Sequence, residues 1–200
     1  MLYLREYEDF MYYLDYLHFY NKAIISYSYK QKWYGNIVEI NKTRDNSCVK
    51  YLIYGKLHRE NGPANILYYK NGNIDRLIYY INGKSHRENG PANILYYKNG
   101  NIECLSYFIN GKAHRENGPS YIWYYENRSI SYEIYYINGE QHRENGPAHI
   151  QYYENGNISY EIYYINGKRH REDGPATTYY SKNNNIYTEH YYKNGIWLHH

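Results

Sequence analysis

The feature that most constrains this chain is a heptapeptide that returns at a fixed interval. His-Arg-Glu-Asn-Gly-Pro-Ala starts at His58 and recurs from His86, His114, His142 and His170, each step being 28 residues. The copy at His114 ends in serine and the copy at His170 carries aspartate for asparagine. A period of this length signals a tandem array, in which one supersecondary unit stacks on the next.

The rest of the unit indicates what each repeat is. After Ala64 comes Asn65-Ile-Leu-Tyr-Tyr-Lys, then Asn71-Gly72, then Asn73 followed by Ile74 to Ile81, then Asn82-Gly83-Lys84-Ser85. Asn-Gly tolerates the positive φ that a type I′ hairpin needs. Twelve of the 15 glycines follow an asparagine, and the runs between them are rich in isoleucine and tyrosine. Such runs read as strands, and the regular turns argue against helical repeats. The Glu-Asn-Gly-Pro stretch reads as a turn or bulge, because proline has no N–H to give a ladder.

The expected fold is therefore mainly β: an elongated antiparallel array of β-hairpins, two strands per unit, in a single twisted meander sheet. A one-rung β-solenoid is the alternative. Equivalent residues would lie about 9.5 Å apart in the meander and about 4.8 Å apart in the solenoid. Tyrosine pairs such as Tyr68/Tyr69 and Tyr79/Tyr80 place aromatic rings on both sides of the sheet.

A degenerate unit precedes the clear ones. Aligning Gly55-Lys56 with Gly83-Lys84 puts one strand at 37–41, a turn at 42–46 and a second strand at 48–53. The repeat array thus spans residues 34–200, with a degenerate unit at 34–57. Residues 1–30 form a separate segment, in which Leu4, Tyr7, Met11, Leu14 and Leu17 recur at helical spacing. This predicts an amphipathic helix over about 5–20 that caps the first sheet edge or docks a partner.

Composition narrows the function. Two cysteines, Cys48 and Cys104, are too few for a disulfide framework and suggest a reducing, intracellular compartment. No secretory signal is evident, and no apolar run is long enough for a transmembrane helix. A net charge of +3 does not argue for nucleic acid. The 34 tyrosines are the unusual number. As a strand former with a polar tip, tyrosine builds a thin, partly wet core, and its rows also allow a ligand platform.

The candidate site residues are the repeated triplets His58-Arg59-Glu60, His86-Arg87-Glu88, His114-Arg115-Glu116, His142-Arg143-Glu144 and His170-Arg171-Glu172. Two readings compete. In one, arginine and histidine fix the connection by hydrogen bonds to glutamate or loop carbonyls. In the other, they form a row that binds an anionic partner. Residues spread evenly over five units do not converge into a catalytic centre, so no enzyme activity, cofactor or metal is expected. A second acidic row, at Glu133, Glu161 and Glu189, with Asp75 and Glu103 shifted by two residues, reads as a solvated sheet face.

The pattern Asn-Gly-Lys-x-His-…-Gly-Pro-Ala-x-Ile-x-Tyr-Tyr-x-Asn-Gly resembles the MORN repeat family, in the variant found in YwqK-like antitoxin proteins. The resemblance covers about residues 34–200 and includes Asn82-Gly83-Lys84, Gly90-Pro91, Tyr96-Tyr97 and Asn99-Gly100. The inserted Arg-Glu-Asn and the Asn-, Ile-, Lys- and Tyr-rich composition look like repeat proteins encoded by giant DNA viruses of amoebae, which would place the chain in host cytoplasm or a virion. The resemblance implies scaffolding, dimerisation or membrane proximity. The expected function is a protein–protein interaction or scaffold module, with self-association through the sheet edges. The alternatives are a tyrosine-platform module for carbohydrate, nucleic acid or lipid headgroups, and an antitoxin-like neutralising protein.

Overall fold

A computed structural model describes residues 27–33, 36–42 and 47–198. The helix expected over about 5–20 lies outside the described residues. Every element described is a β-strand, and all pairings are antiparallel. The main sheet has 15 strands among the described residues, 14 of them in sequence order as a meander and Lys56–Leu57 paired off that path to Ser47–Ile53.

Each unit gives two strands to that sheet. In the unit that starts at His86 these are Asn93–Tyr96 and Ile102–Ser106. The first pairs with the second strand of the unit before it (Leu77↔Ile94) and with its own second strand (Leu105↔Ile94). That pattern is the meander and not the solenoid. The degenerate unit has the same form, with Asn36–Lys42 paired to Ser47–Ile53. Pairing starts before the repeat becomes legible, because Tyr27–Trp33 pairs with Asn36–Lys42.

The unit also holds an element that the sequence reading folded into the second strand. At Tyr79 the chain leaves the sheet. Tyr80–Ile81 and Lys84–Ser85 form a two-residue hairpin of their own, repeated as Phe108–Ile109 with Lys112–Ala113 and in the two units that follow. Tyr79 clamps both ends of this excursion: its N–H donates to Ala92 O (2.8 Å) and its carbonyl accepts from His86 N (3.0 Å). Pro91, without an N–H, precedes the residue that rejoins the sheet. Neighbouring excursions bond to one another, Gly111 N–H to Ser85 O (2.8 Å) and Arg87 N–H to Phe108 O (3.1 Å), so they form a second row beside the main sheet.

The two Asn-Gly turns of a unit differ. In the short hairpin both residues have positive φ (Asn82 52°, Gly83 78°), the type I′ geometry. In the long hairpin only the glycine does (Gly72 88°). There Gly72 N–H closes a turn on Tyr69 O, and the Asn71 side chain accepts from Asn73 N (3.0 Å). This is a type I turn with a following left-handed residue, and it is accompanied by a register shift next to Tyr68.

The interior is thin. Ala64, Ala92, Ala148 and Ala176 are fully buried, with Ser120 in the third copy, and the largest fully buried side chains are Thr177, Cys104 and Ser120. The point where the chain rejoins the sheet holds only a small side chain, a methyl in four copies and in the third a hydroxymethyl whose Oγ donates to Tyr136 O (2.9 Å).

Candidate interaction surfaces

Within each His-Arg-Glu triplet the three residues have different fates. The histidine locks its unit to the next. The N–H groups of Asn82, Asn110, Asn138, Asn166 and Asn194 donate to Nδ1 of His58, His86, His114, His142 and His170 at 3.0–3.2 Å. The donor in each case opens the type I′ turn of the following excursion.

The arginine is sandwiched. The guanidinium carbons of Arg59, Arg87, Arg115, Arg143 and Arg171 lie 3.9–4.1 Å above the rings of Tyr51, Tyr79, Tyr107, Tyr135 and Tyr163. Nη1 of each donates to the carbonyl of the proline four residues on, at 3.0–3.3 Å. The glycine before that proline makes room: a Cβ on Gly118 would stand 3.2 Å from the Arg115 guanidinium carbon. The spacing Tyr-…-His-Arg-x-x-Gly-Pro is thus one packing motif, with a cation–π contact on one side and bare backbone on the other.

The glutamate has no such role. Glu60 and Glu172 meet their own histidines, at 4.0 and 3.2 Å, and Glu172 also accepts from Lys193 Nζ (3.1 Å). Among the described residues nothing bonds Glu88, Glu116 or Glu144, and all three are exposed. They line a row of shallow clefts between successive loops. One, of about 590 Å³, lies between the Arg115 and Arg143 loops over Tyr135 and Ile137. Equivalent clefts of about 540 and 510 Å³ lie between the Arg59 and Arg87 loops and between the Arg87 and Arg115 loops.

The sheet has two unlike faces. On one, Ile66, Ile94, Ile122 and Ile150 stand opposite Leu77, Leu105, Glu133 and Glu161 in the registers that join the strands. Tyr152 and Tyr180 there donate to Glu133 (2.9 Å) and Glu161 (3.0 Å). These carboxylates are phenol acceptors, so the row is more than a solvated face. Burial and the bonded Glu161 push the Tyr180 phenol up to about 12. Asp75 and Glu103 are the extra residues at register shifts, which removes the two-residue relation expected between them and Glu133. Asp75 sits instead by the hydroxyl of Tyr69, which donates to Tyr96 O (2.6 Å).

The other face carries Asn65, Leu67, Arg76 and Ile78 in one unit and His149, Gln151, Tyr160 and Ile162 in another, and the short hairpins lean against it. Phe108 meets Tyr121 edge-on (5.7 Å between ring centres), and Ser85 Oγ donates to Asn93 Oδ1 (3.0 Å). Rings run in contact from Tyr132 through His149 and Tyr160 to Tyr179. Burial, then Arg169, lowers the His149 pKa, which favours the neutral ring.

Among the described residues no group of three or more His, Cys, Asp or Glu side chains could hold a metal ion, and no helix is long and apolar enough to cross a membrane. No protein-family model matches the chain, and no curated protein matches it. The short-hairpin row and the two-faced division were missed from sequence. Aligning the five units position by position supplies the signal for the second.

Proposed function

We propose that this protein is a non-enzymatic interaction or scaffold module, a MORN-like array working inside the cell. The observation that carries the reading is the geometry of the His-Arg-Glu loops. Histidine and arginine are used up in joining and packing the units, while the glutamates face solvent along repeated clefts. A surface that presents the same group at every unit suits a partner gripped at several points, where each further contact is made at high effective concentration. It does not suit a reaction, which needs unlike groups brought to one place.

The test is capture by the full chain, immobilised through a terminal tag, from lysate of cells that express it. The module reading expects a protein retained in defined ratio and released by excess free chain. Retention of no protein, together with a turnover assay that shows consumption of a small molecule, would overturn it.

A further inference from the structure

Aligned residue by residue, the five units vary in a spatially ordered way. The His, Arg, Glu, Gly and Pro of the loop, the first tyrosine of each pair and the isoleucine after the long-hairpin turn are the same in all five. Eight other positions hold three or more residue types each: three lie at the turns or the bulge beside one, at Gly72, Asp75 and Lys84 and their equivalents, and five lie beyond them. The five read Asn65, Asn93, Tyr121, His149, Thr177; Leu67, Leu95, Trp123, Gln151, Tyr179; and Arg76, Cys104, Tyr132, Tyr160, Thr188. The last two read Ile78, Ser106, Ile134, Ile162, His190 and Ser85, Ala113, Gln141, Arg169, Trp197.

The register puts the first four positions on one face: Asn93 pairs with Ile78 and Ser106, Leu95 with Arg76 and Cys104, Gln151 with Tyr132 and Tyr160. The fifth belongs to the short hairpins that lean against that face. Framework residues thus repeat on one side while the other side is rewritten unit by unit. The rewriting uses tyrosine, tryptophan, arginine, histidine and small polar residues, the vocabulary of recognition surfaces. The three buried side-chain polar atoms without a partner among the described residues, Asn65 Oδ1, Arg76 Nε and Thr177 Oγ1, all lie on this same side.

Resting on the module reading above, we infer that the variable face, apart from its buried members Cys104, Ser106, Ala113, Ile162 and Thr177, is a recognition surface separate from the glutamate clefts and that it takes an acidic polypeptide segment. None of the 25 residues at these five positions is acidic, whereas Arg76 and Arg169 are cationic. Asp75 and Glu103 border the face in the first two units, but the equivalent residues become Ser131, Ser159 and Tyr187. The C-terminal half therefore offers the aromatic chain Tyr132, His149, Tyr160 and Tyr179 beside Arg169. The side-chain bonds of Arg169 go to the hydroxyls of Tyr164 (3.2 Å) and Tyr192 (3.4 Å), not to a carboxylate. An arginine seated on phenols keeps its charge available to an incoming carboxylate. Two cations over five units are too sparse to track a phosphate chain, which favours a peptide over a nucleic acid.

The probe is a fluorescein-labelled 12-residue peptide of alternating glutamate and tyrosine, read by anisotropy with the full chain. A lysine–tyrosine 12-mer and oligo-dT of 12 nucleotides are the comparators. Glutamate–tyrosine should bind, and its affinity should fall about tenfold or more in Arg169→Gln and in Gln151→Glu, each checked for unchanged circular dichroism. Glu144→Gln, in the clefts outside this face, should leave it alone. Equal or tighter binding of either comparator, no binding of the acidic peptide, or insensitivity to both variants overturns the inference. If partner capture by the full chain persists in that event, the module reading stands and only the assignment of face and chemistry has failed. If capture is absent too, both fall.

Discussion

Replacing Arg115 by alanine isolates the packing motif at the centre of the array. The side chain makes a cation–π contact with Tyr107 at 3.9 Å and donates from Nη1 to Pro119 O at 3.1 Å. At a half-buried site such a stack contributes about 0.5–2 kcal/mol. A hydrogen bond from a charged donor contributes about 1.5–3 kcal/mol, and Pro119 is itself buried. Allowing for the desolvation already spent on the guanidinium, the expected loss is about 2–3 kcal/mol. His114→Ala removes one acceptor at the exposed Asn138 turn and should cost about 1 kcal/mol. Glu116→Ala removes nothing that is bonded and should stay within about 0.5 kcal/mol.

Equilibrium urea unfolding, followed by circular dichroism and by the fluorescence of Trp123 in the same unit, reads these losses. With a slope of about 2 kcal/mol per molar urea, the arginine variant should shift its midpoint by roughly 1–1.5 M. Gly118→Ala supplies an internal check. Its new Cβ meets the guanidinium, so part of its cost should vanish in the Arg115→Ala background. A shift below 0.5 kcal/mol for Arg115→Ala, or a Glu116→Ala loss of equal size, would refute the division of labour within the triplet.

Three further outcomes follow from burial and charge. Burial pushes the Cys104 thiol up to about 11 and leaves it 1% exposed, so alkylation should be far slower in the native protein than in urea. Tyr69 and Tyr160 are pushed up to about 12, burial being the main cause. With folded values above the unfolded value near 10, their stabilisation is complete below that pH and is lost as pH rises toward 12. Absorbance at 295 nm should therefore lag free tyrosine and then rise together with loss of circular dichroism. His149 has the opposite sign. Its folded value lies below the unfolded 6.5, so its contribution is present above 6.5 and declines as pH falls toward the folded value. Urea curves at pH 7 and pH 5 should differ less for His149→Phe than for the wild type.

Much of the architecture was legible because the repeat announces itself. Asn-Gly at fixed intervals gave the hairpins, and Gly55-Lys56 located the degenerate unit whose strands are Asn36–Lys42 and Ser47–Ile53. The short hairpin was not legible, because Ile74 to Ile81 reads as one strand. The break falls at Tyr79, which is as good a strand former as its neighbours, and only the bonds from Ala92 and His86 show that the chain turns out there. Arginine bonds a loop carbonyl, one of the partners considered for it, whereas histidine accepts from an asparagine N–H that the sequence did not single out. The stack on tyrosine was invisible, since Arg115 and Tyr107 are eight residues apart with a hairpin between them. The expected parity of Asp75 with Glu133 failed because an extra residue at the register shift leaves almost no trace in sequence.

The bonds that join one unit to the next repeat at the same positions in each unit, and a recurring set spans 24 to 27 residues, from the Asn82 N–H on His58 to the Tyr69 hydroxyl on Tyr96 O. None needs to know where in the array it stands. Excising His86 to Ala113 would bring His114 directly after Ser85 and recreate the same seam, so a gene for such a chain can lengthen or shorten in whole modules without spoiling its joints. What such a change would alter is the order of words written along the variable face.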